Sequence, residues 1–190
     1  GAATAIGALT TKAIEGYAAQ EQLVGGVETL FKTSSDTVVG YANDAYKTAG
    51  MSANEYMETV TSFSASLLAS MNNDTAAAAE KANVAITDMS DNANKMGTDI
   101  SLIQNAYNGF AKQNYTMLDN LKLGYGGTKE EMQRLLDDAS KLSGIKYDIS
   151  SYSDIVDAIH VVQTEMDITG TTAKEASTTI EGSVSSMSSA

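Results

Sequence analysis

The side chain with the clearest chemical potential in this sequence is His160, the single histidine of the chain. An imidazole titrates near neutral pH and can act as an acid, a base or a metal ligand, but each role needs partner side chains. Its neighbours in the sequence and along a helix, Val156, Val161 and Thr164, offer none. These neighbours favour a histidine at a helix boundary, in contact with solvent.

Two pairs of acidic residues have a spacing that catalysis can use, namely Glu130 with Glu131 and Asp137 with Asp138. Paired carboxylates perform acid and base catalysis in glycosidases, but such enzymes also need aromatic platforms for the sugar, and aromatic residues make up only 6% of this chain. Glu130 and Glu131 fall in the first turn of a predicted helix, where the helix dipole favours negative charge. A structural role is therefore sufficient to explain them.

The sequence contains no recognisable metal, phosphate or nucleophile motif. Cysteine is absent, which excludes disulfides and thiolate zinc sites. Asp91–Asn94 and Asp137–Asp138 lack the alternating oxygen ligands and central glycine of a calcium loop. Leu23–Gly26 and Gly124–Gly127 lack the GK[ST] ending of a phosphate loop, and Gly127–Lys129 is expected to be an ordinary helix start. We predict no catalytic, cofactor-binding or metal-binding residue, and the chain is not expected to be an enzyme.

Charge and hydropathy exclude two further classes of function. The net charge is −12, from 24 acidic and 12 basic residues without a basic run, so direct nucleic-acid binding is not expected. No apolar run approaches the roughly 18 to 20 residues that span a bilayer. The apolar N-terminal segment contains Lys12 and Glu15 and lacks a basic start, unlike a signal peptide. The chain ends within an apolar periodic segment, which suggests a piece of a longer polypeptide.

The segment Met51–Met71 has the clearest helical pattern and is expected to organise the fold. Ser52 and Glu55 form an S-x-x-E capping box at its start. Phe63 is predicted to be a central core residue. Apolar or small residues then recur with the spacing of one helix face, at Ala53, Tyr56, Met57, Val60, Phe63, Ser64, Leu67, Leu68 and Met71.

Other segments show similar periodicity. Within the first of them, the Gly25–Gly26 pair either breaks the helix or allows close packing. Thr128 with Glu131, and Thr172 with Glu175, are predicted to form two further capping boxes. Ser35 or Asp36 is predicted to cap the helix that runs to Ala49, and Leu142 and Met166 are assigned to buried stripes. The predicted helices span 8–32, 35–49, 75–96, about 99–110, about 128–143, about 151–166 and 172–187.

The predicted fold class is all-α: a bundle of about eight helices joined by short Gly, Ser, Asn and Asp turns, without a substantial sheet. Proline is absent, which agrees with helices joined by glycine and polar turns. Residues 1–190 are treated as one helical segment. Its possible subdivisions are N-terminal helices at 1–50, a central helical hairpin at 51–110, an irregular connector at 111–127 with its own short helix or function, and C-terminal helices at 128–190.

Long stretches of the chain resemble the core region of tape-measure proteins from the tails of siphophages and prophages of Gram-positive hosts. The resemblance covers nearly the whole chain. It lies in QLVGGVETLFK (22–32), YANDAYKTAGMSANEYMETVTSFSASLL (41–68), ITDMSDNANKMGTDI (86–100), NAYNGFAKQNYTMLDNLKLGYGGTKEEMQRLL (105–136) and ITGTTAKEASTTIEGS (168–183).

This resemblance implies a structural protein of the virion. A tape measure occupies the lumen of the growing tail, determines tail length and helps nucleate the tail tube, and it later takes part in DNA ejection. The implied partners are tail-tip or baseplate proteins, tail-tube proteins and tail-assembly chaperones, with self-association in the lumen. Assembly takes place in the cytoplasm of the bacterial host. The resemblance implies no catalytic residues, and a core that recurs among tape measures of different length suggests fixed docking rather than a ruler.

Two alternatives remain open at the level of sequence. The first is an envelope-interacting module that contacts a membrane only after ejection, although amphipathic helices with few basic residues bind anionic lipids weakly. The second is an extracellular helical interaction module of the adhesin type.

Overall fold

The computed structural model describes residues 20–178. Helical backbone at 20–31 and at 171–178 is labelled α1 and α8. Short 3-10 helices cover Lys32–Ser34 and Leu118–Leu121. The remaining helices are α2 (Ser35–Thr48), α3 (Ala53–Ser70), α4 (Thr75–Met96), α5 (Ile100–Ala111), α6 (Lys129–Ser143) and α7 (Tyr152–Glu165).

The prediction of an all-α bundle of about eight helices is confirmed. The described residues contain no β-strand, and their buried apolar side chains form one continuous core from Val27 to Ile168. None of the helices between residues 20 and 178 has the length and hydropathy needed to cross a membrane. The fold is thus a set of helices packed around one interior.

Helix α3 begins and packs as predicted. The Glu55 amide donates to Ser52 Oγ at 3.1 Å, and the Ser52 amide donates to Glu55 Oε2 at 3.4 Å, which completes the capping box. Phe63 is only 2% exposed and meets the Tyr152 ring of α7 edge to face, with ring centroids 6.3 Å apart. The helix thereby joins α2, α4, α5 and α7 through one apolar face.

The central helix, however, is α4 rather than α3. It packs against α2, α3, α5, α7 and both 3-10 helices. Its first half approaches its neighbours closely because Ala78, Ala79, Ala82 and Ala85 are buried and small. The apolar pattern of the sequence did not indicate the central position of α4, because the buried surface of its second half is largely polar.

The Gly25–Gly26 pair lies inside α1 and does not interrupt it. A methyl group at Gly26 would lie 3.5 Å from Thr61 Cγ2 of α3, an ordinary packing distance. The helix break predicted as one alternative at this position is therefore wrong, and a methyl group would fit at Gly26 and at Gly25, so neither glycine is required for close packing. By contrast, Gly97 and Gly144 end α4 and α6 in the left-handed conformation, at φ of 70° and 76°.

Three details of the predicted helices are wrong. Leu142, assigned to the buried stripe of α6, is 49% exposed because it lies in the last turn beyond the contact with α7, and Met166, just past the end of α7, is 41% exposed. Helix α2 is preceded by a 3-10 turn with Ser34 at the N-cap position, so neither Ser35 nor Asp36 caps it.

The connector 111–127 is ordered by its own short helix. Leu118 and Leu121 of the 3-10 helix are fully buried, and Tyr115 and Leu123 are buried beside them. At its end, Gly127 passes against the backbone of Thr116: an added Cβ would lie 2.2 Å from the Thr116 carbonyl oxygen. Only glycine fits this crossing without moving the chain.

We therefore expect Gly127→Ala to lower the free energy of unfolding by about 2 kcal/mol or more, because the clash is with backbone and cannot be relieved by a rotamer change. Gly126→Ala is the matched control, since its Cβ would meet only the flexible Glu131 side chain at 3.6 Å. Urea unfolding of both variants measures the difference. Equal stability of the two would contradict the tight crossing at Gly127.

Candidate functional site

The most unusual feature of the interior is a group of short polar residues on the second half of α4. Asp88, Ser90, Asp91 and Asn92 are all at most 2% exposed. Burial of a charged or polar group is costly unless hydrogen bonds replace the lost water. These side chains therefore require partners from neighbouring elements, and those partners fix how the elements pack.

Asp88 pairs with His160 of α7. The imidazole Nδ1 lies 3.0 Å from both carboxylate oxygens of Asp88. The hydrogen bond to Asp88 raises the pKa of His160, and burial raises the pKa of Asp88. The other charged groups nearby are Asp91, one turn along α4, and the ion pair between Lys81 and Asp157.

The helix-boundary position predicted for His160 is thus wrong, whereas its predicted contact with solvent is confirmed, since 40% of the side chain is exposed. The residue lies inside α7 and is half-buried, and its partner comes from another helix, 72 residues earlier in the chain. Inspection of its sequence neighbours could not reveal a partner at that separation.

Asp91 caps a helix that is distant in sequence. Its carboxylate accepts the Gly170 amide at 2.8 Å and the Thr172 amide at 2.9 Å, both at the start of α8. Negative charge at a helix N-terminus is stabilised by the unpaired N–H groups and by the helix dipole. The fully buried carboxylate therefore joins α8 to the centre of the bundle.

The capping box predicted at Thr172–Glu175 is accordingly wrong. The helix begins one residue earlier, and Thr172 lies inside its first turn. The hydroxyl of Thr172 accepts a hydrogen bond from Asn94 Nδ2 at 2.7 Å, and its amide donates to Asp91. Asp91 takes the role that a threonine hydroxyl has in a local capping box.

Asn92 joins three elements. Its Nδ2 donates to Gln163 Oε1 of α7 at 2.8 Å and to the carbonyl oxygen of Leu121, in the connector, at 2.9 Å. Gln163 Nε2 in turn donates to the Asp88 carbonyl oxygen at 3.1 Å. The buried amides thus fix the position of the connector against α4 and α7.

A sequence signal for this cluster exists, although the apolar pattern conceals it. Asp88, Asp91 and Asn92 have the i, i+3, i+4 spacing of one helix face. The residues at these positions are short and polar, without the long charged side chains typical of a solvated face. In α7, His160 and Gln163 have the same i, i+3 relation.

Glu130 and Glu131 lie in the first turn of α6, as predicted. Glu131 and Asp138 have partners in α6 and in the connector, and Asp137 accepts a hydrogen bond from Gln133 Nε2 at 2.9 Å. Glu131 accepts from Arg134 Nε at 2.6 Å and from the Gly126 amide at 3.1 Å, and the bond to Arg134 leads in lowering the pKa of Glu131 to about 2. Asp138 accepts the Tyr125 hydroxyl at 2.6 Å. Burial, followed by this bond, raises the pKa of Tyr125 to about 12.

The other candidate segments lie in ordinary secondary structure. Asp91–Asn94 is part of α4, and Thr128 is the N-cap of α6, accepting the Glu131 amide at 3.1 Å. Gly124–Gly127 belongs to the ordered connector. Within residues 20–178, no three His, Asp or Glu side chains are grouped so as to hold a metal ion.

A polar cleft of about 740 Å³ opens beside the α4 cluster. We refer to it as the α3–α5 cleft, since its walls are α3, the end of α4, and α5 with the turn before it. The α2–α3 turn at Ala49–Met51 closes one side. Glu55, Glu58 and Asp99 line it together with several amide side chains, and none of its lining residues is Lys, Arg or His.

Two hydroxyl groups at this cleft lack hydrogen-bond partners. Among the described residues, the Ser90 and Thr98 hydroxyls are buried and unpaired, and both residues line the cleft. Ser90, Ala93 and Asn94 lie on the same face of α4, at the i, i+3, i+4 spacing, so this face is directed toward the cleft. Buried polar groups are nearly always hydrogen-bonded in folded proteins, so these exceptions are informative. The other two unpaired buried atoms among the described residues, Asn92 Oδ1 and the Tyr107 hydroxyl, belong to residues that do not line the cleft.

Comparisons with protein families, with curated proteins and with solved structures found no match for this chain.

Stability is expected to fall as the pH rises from about 6.5, the ordinary pKa of an imidazole, into the alkaline range. The hydrogen bond to Asp88 raises the pKa of His160, so the folded chain keeps a proton that the unfolded chain has released, and linkage makes unfolding easier as that proton is lost. Burial raises the pKa of Asp88, which acts in the same direction from its ordinary value of 3.8 upward. Asp88→Asn should flatten this slope, because no buried anion remains to depend on the imidazolium. Thermal unfolding at a series of pH values across this range measures the slope of stability against pH for both chains.

The exposed Asp44 of α2 provides the control: Asp44→Asn removes the same charge at the surface and should leave the slope unchanged. A wild-type melting temperature that rises with pH over this interval would contradict the role of the His160–Asp88 pair.

Replacement of Asp91 by asparagine should destabilise the chain by about 2–3 kcal/mol, since an amide can accept only one of the two N–H groups in this geometry and turns a donor toward the other. Amide hydrogen exchange at Gly170 and Thr172 gives a local readout and should accelerate more than exchange in α3. Uniform acceleration would mean that Asp91 acts on global stability without specifically holding α8.

Proposed function

We propose that this chain is the folded core module of a phage tail tape-measure protein, and that it acts as a fixed assembly module rather than as a length ruler. The observation that carries the proposal is the location of the resembling runs. The run 41–68 covers the second half of α2 and most of α3, and the run 86–100 covers the second half of α4 and the turn after it. The run 105–136 covers the second half of α5, the connector and the first half of α6. All three contribute side chains to one core.

Dimensions support the fixed module over the ruler. In one straight helix, residues 20–178 would extend about 240 Å at roughly 1.5 Å per residue. Among the helices of residues 20–178, α4 is the longest; it has 22 residues and therefore extends only about 33 Å. Since the helices fold back on one another, the reach of this unit does not scale with its number of residues, whereas a ruler requires that proportionality.

The proposed partners follow from the resemblance: tail-tip or baseplate proteins, tail-tube subunits and assembly chaperones, within the tail lumen of the virion. The acidic balance of the chain, 24 acidic against 12 basic residues, suits association with partners that present basic surfaces. No chemical step is required of the chain in this role.

The test separates folded structure from chain length by means of Phe63→Ala, introduced into the gene that encodes the chain. This variant keeps every residue position and removes a buried aromatic ring, at a cost of about 3–5 kcal/mol. Tyr46→Ala is the matched control, because the Tyr46 ring is 60% exposed. A third variant carries an in-frame deletion of residues 20–178, and tail lengths are measured by electron microscopy.

If the chain is a fixed module, Phe63→Ala and the deletion give few tails or tubes of uncontrolled length, while Tyr46→Ala gives normal tails. If it is a ruler, Phe63→Ala leaves the length unchanged and the deletion shortens the tails in proportion to the residues removed. Normal tails from all three variants would contradict any role in tail assembly.

A further inference from the structure

We propose that the α3–α5 cleft binds an aliphatic ammonium ion, the group carried by free diamines and polyamines and by lysine side chains. This site does not depend on the proposed role in a phage tail. It is inferred from the charge of the lining, from the balance of hydrogen-bond donors and acceptors, and from a buried hydroxyl that the fold leaves unpaired.

The lining is anionic and is not neutralised by the described part of the chain. Glu58 has neither a hydrogen bond nor an ion pair from its carboxylate to any other residue in 20–178. Glu55 uses one oxygen in the α3 capping box, and Asp99 uses one to cap α5. Three carboxylates facing one concave space without a cation attract a positively charged ligand.

The amide groups favour the same kind of ligand. Asn94 uses its NH₂ group on Thr172, and Gln104 uses its NH₂ group on Thr59. The amide oxygens of these two side chains remain available as acceptors. Asn108 is an exception, because its oxygen accepts from the Ser62 hydroxyl and its NH₂ group is the part left free. An ammonium ion has three donors and no acceptor, so it matches a lining in which most of the free groups are carboxylate and carbonyl oxygens.

Ser90 provides the independent observation. It is 2% exposed, it lies on the cleft face of α4, and its hydroxyl has no partner among the described residues. A hydroxyl left unpaired in the interior is destabilising, and a bound donor can satisfy it. The oxygen is closed off from solvent in the free chain, so a rotation of the Ser90 side chain is needed to present it, beside Asn94, as an additional acceptor at the floor of the cleft.

The rest of the floor suits the alkyl part of such a ligand. Ala49, Met51, Ala93 and Ile100 line the cleft between the polar groups. Sites for small molecules have volumes of roughly 300–1,000 Å³ and combine apolar walls with a few placed polar groups. The cleft, at about 740 Å³, is large enough for a five-carbon chain with an ammonium group at its end.

The experiment measures binding to the full chain by isothermal titration calorimetry with two probes, cadaverine and Nα-acetyl-lysine N-methylamide. Glu58→Gln should weaken binding about tenfold, because a charge-assisted hydrogen bond is lost. Glu80→Gln is the matched control: it makes the same charge change on the exposed side of α4, outside the cleft, and should leave the affinity unchanged.

Ser90→Ala supplies a second signature. It should raise the melting temperature of the free chain, because an unpaired buried hydroxyl is removed, and it should weaken amine binding several-fold. A merely structural serine would not change stability and affinity in opposite directions. Melting curves of the free Glu58→Gln and Glu80→Gln variants verify that both fold.

The two probes distinguish the sources of the ammonium group. Tighter binding of cadaverine means that the second ammonium group is also held, as for a free diamine or polyamine. Equal or tighter binding of the lysine derivative assigns the site to a lysine side chain of a polypeptide. The proposal is overturned if neither probe binds, or if Glu58→Gln and Glu80→Gln weaken binding equally, which would indicate diffuse attraction to an acidic chain.

Discussion

The rest of this structure depends on the burial of negative charge in the middle of α4. Two carboxylates, three residues apart on one helix, lie in the interior without a lysine or arginine bonded to either in the described residues. Each is stabilised by a different type of donor: Asp88 by an imidazole of α7, Asp91 by the backbone amides of α8. A packing that kept α7 or α8 away from α4 would leave one of these buried carboxylates without its donors, at a high cost in free energy. The polar groups therefore favour this packing over other apolar packings, while the surrounding apolar surface supplies most of the stabilising free energy.

Much of the helical architecture was predictable from the residues because local rules determine it. Contacts within a few residues of the chain determine the Ser52–Glu55 capping box and the helix ends at Gly97 and Gly144. A strong apolar period along the helix predicts the burial of Phe63 in the core. The errors at Leu142 and Met166 arose where the period continues past the neighbouring helix that would cover it. Such an end cannot be located without knowing how the helices are placed against one another.

The candidate site was much less predictable. The partners of Asp88 and Asp91 are separated from them by more than 70 residues, so no local pattern joins them. Thr172 is an example: its sequence context predicts that it caps its own helix, but the carboxylate of the distant Asp91 accepts the hydrogen bond from its amide and caps the helix instead. The cleft is even harder to predict from the sequence, since its walls come from α3, α4, α5 and a turn. The ligand that it can bind depends on which hydrogen-bond acceptors remain unused after folding.

The attachment of α8 has a mechanical consequence. Because Asp91 holds both the Gly170 and Thr172 amides, the start of α8 is fixed to the centre of the bundle rather than to its periphery. A pulling force applied to the chain on the C-terminal side of α8 would therefore load two parallel hydrogen bonds together with the interior of α4. Elements attached at one edge separate under tension one bond at a time, whereas bonds loaded in parallel share the force and must break together. This geometry makes the start of α8 a point of attachment that resists extension, and among the described residues no other helix start is held by a carboxylate from a different helix.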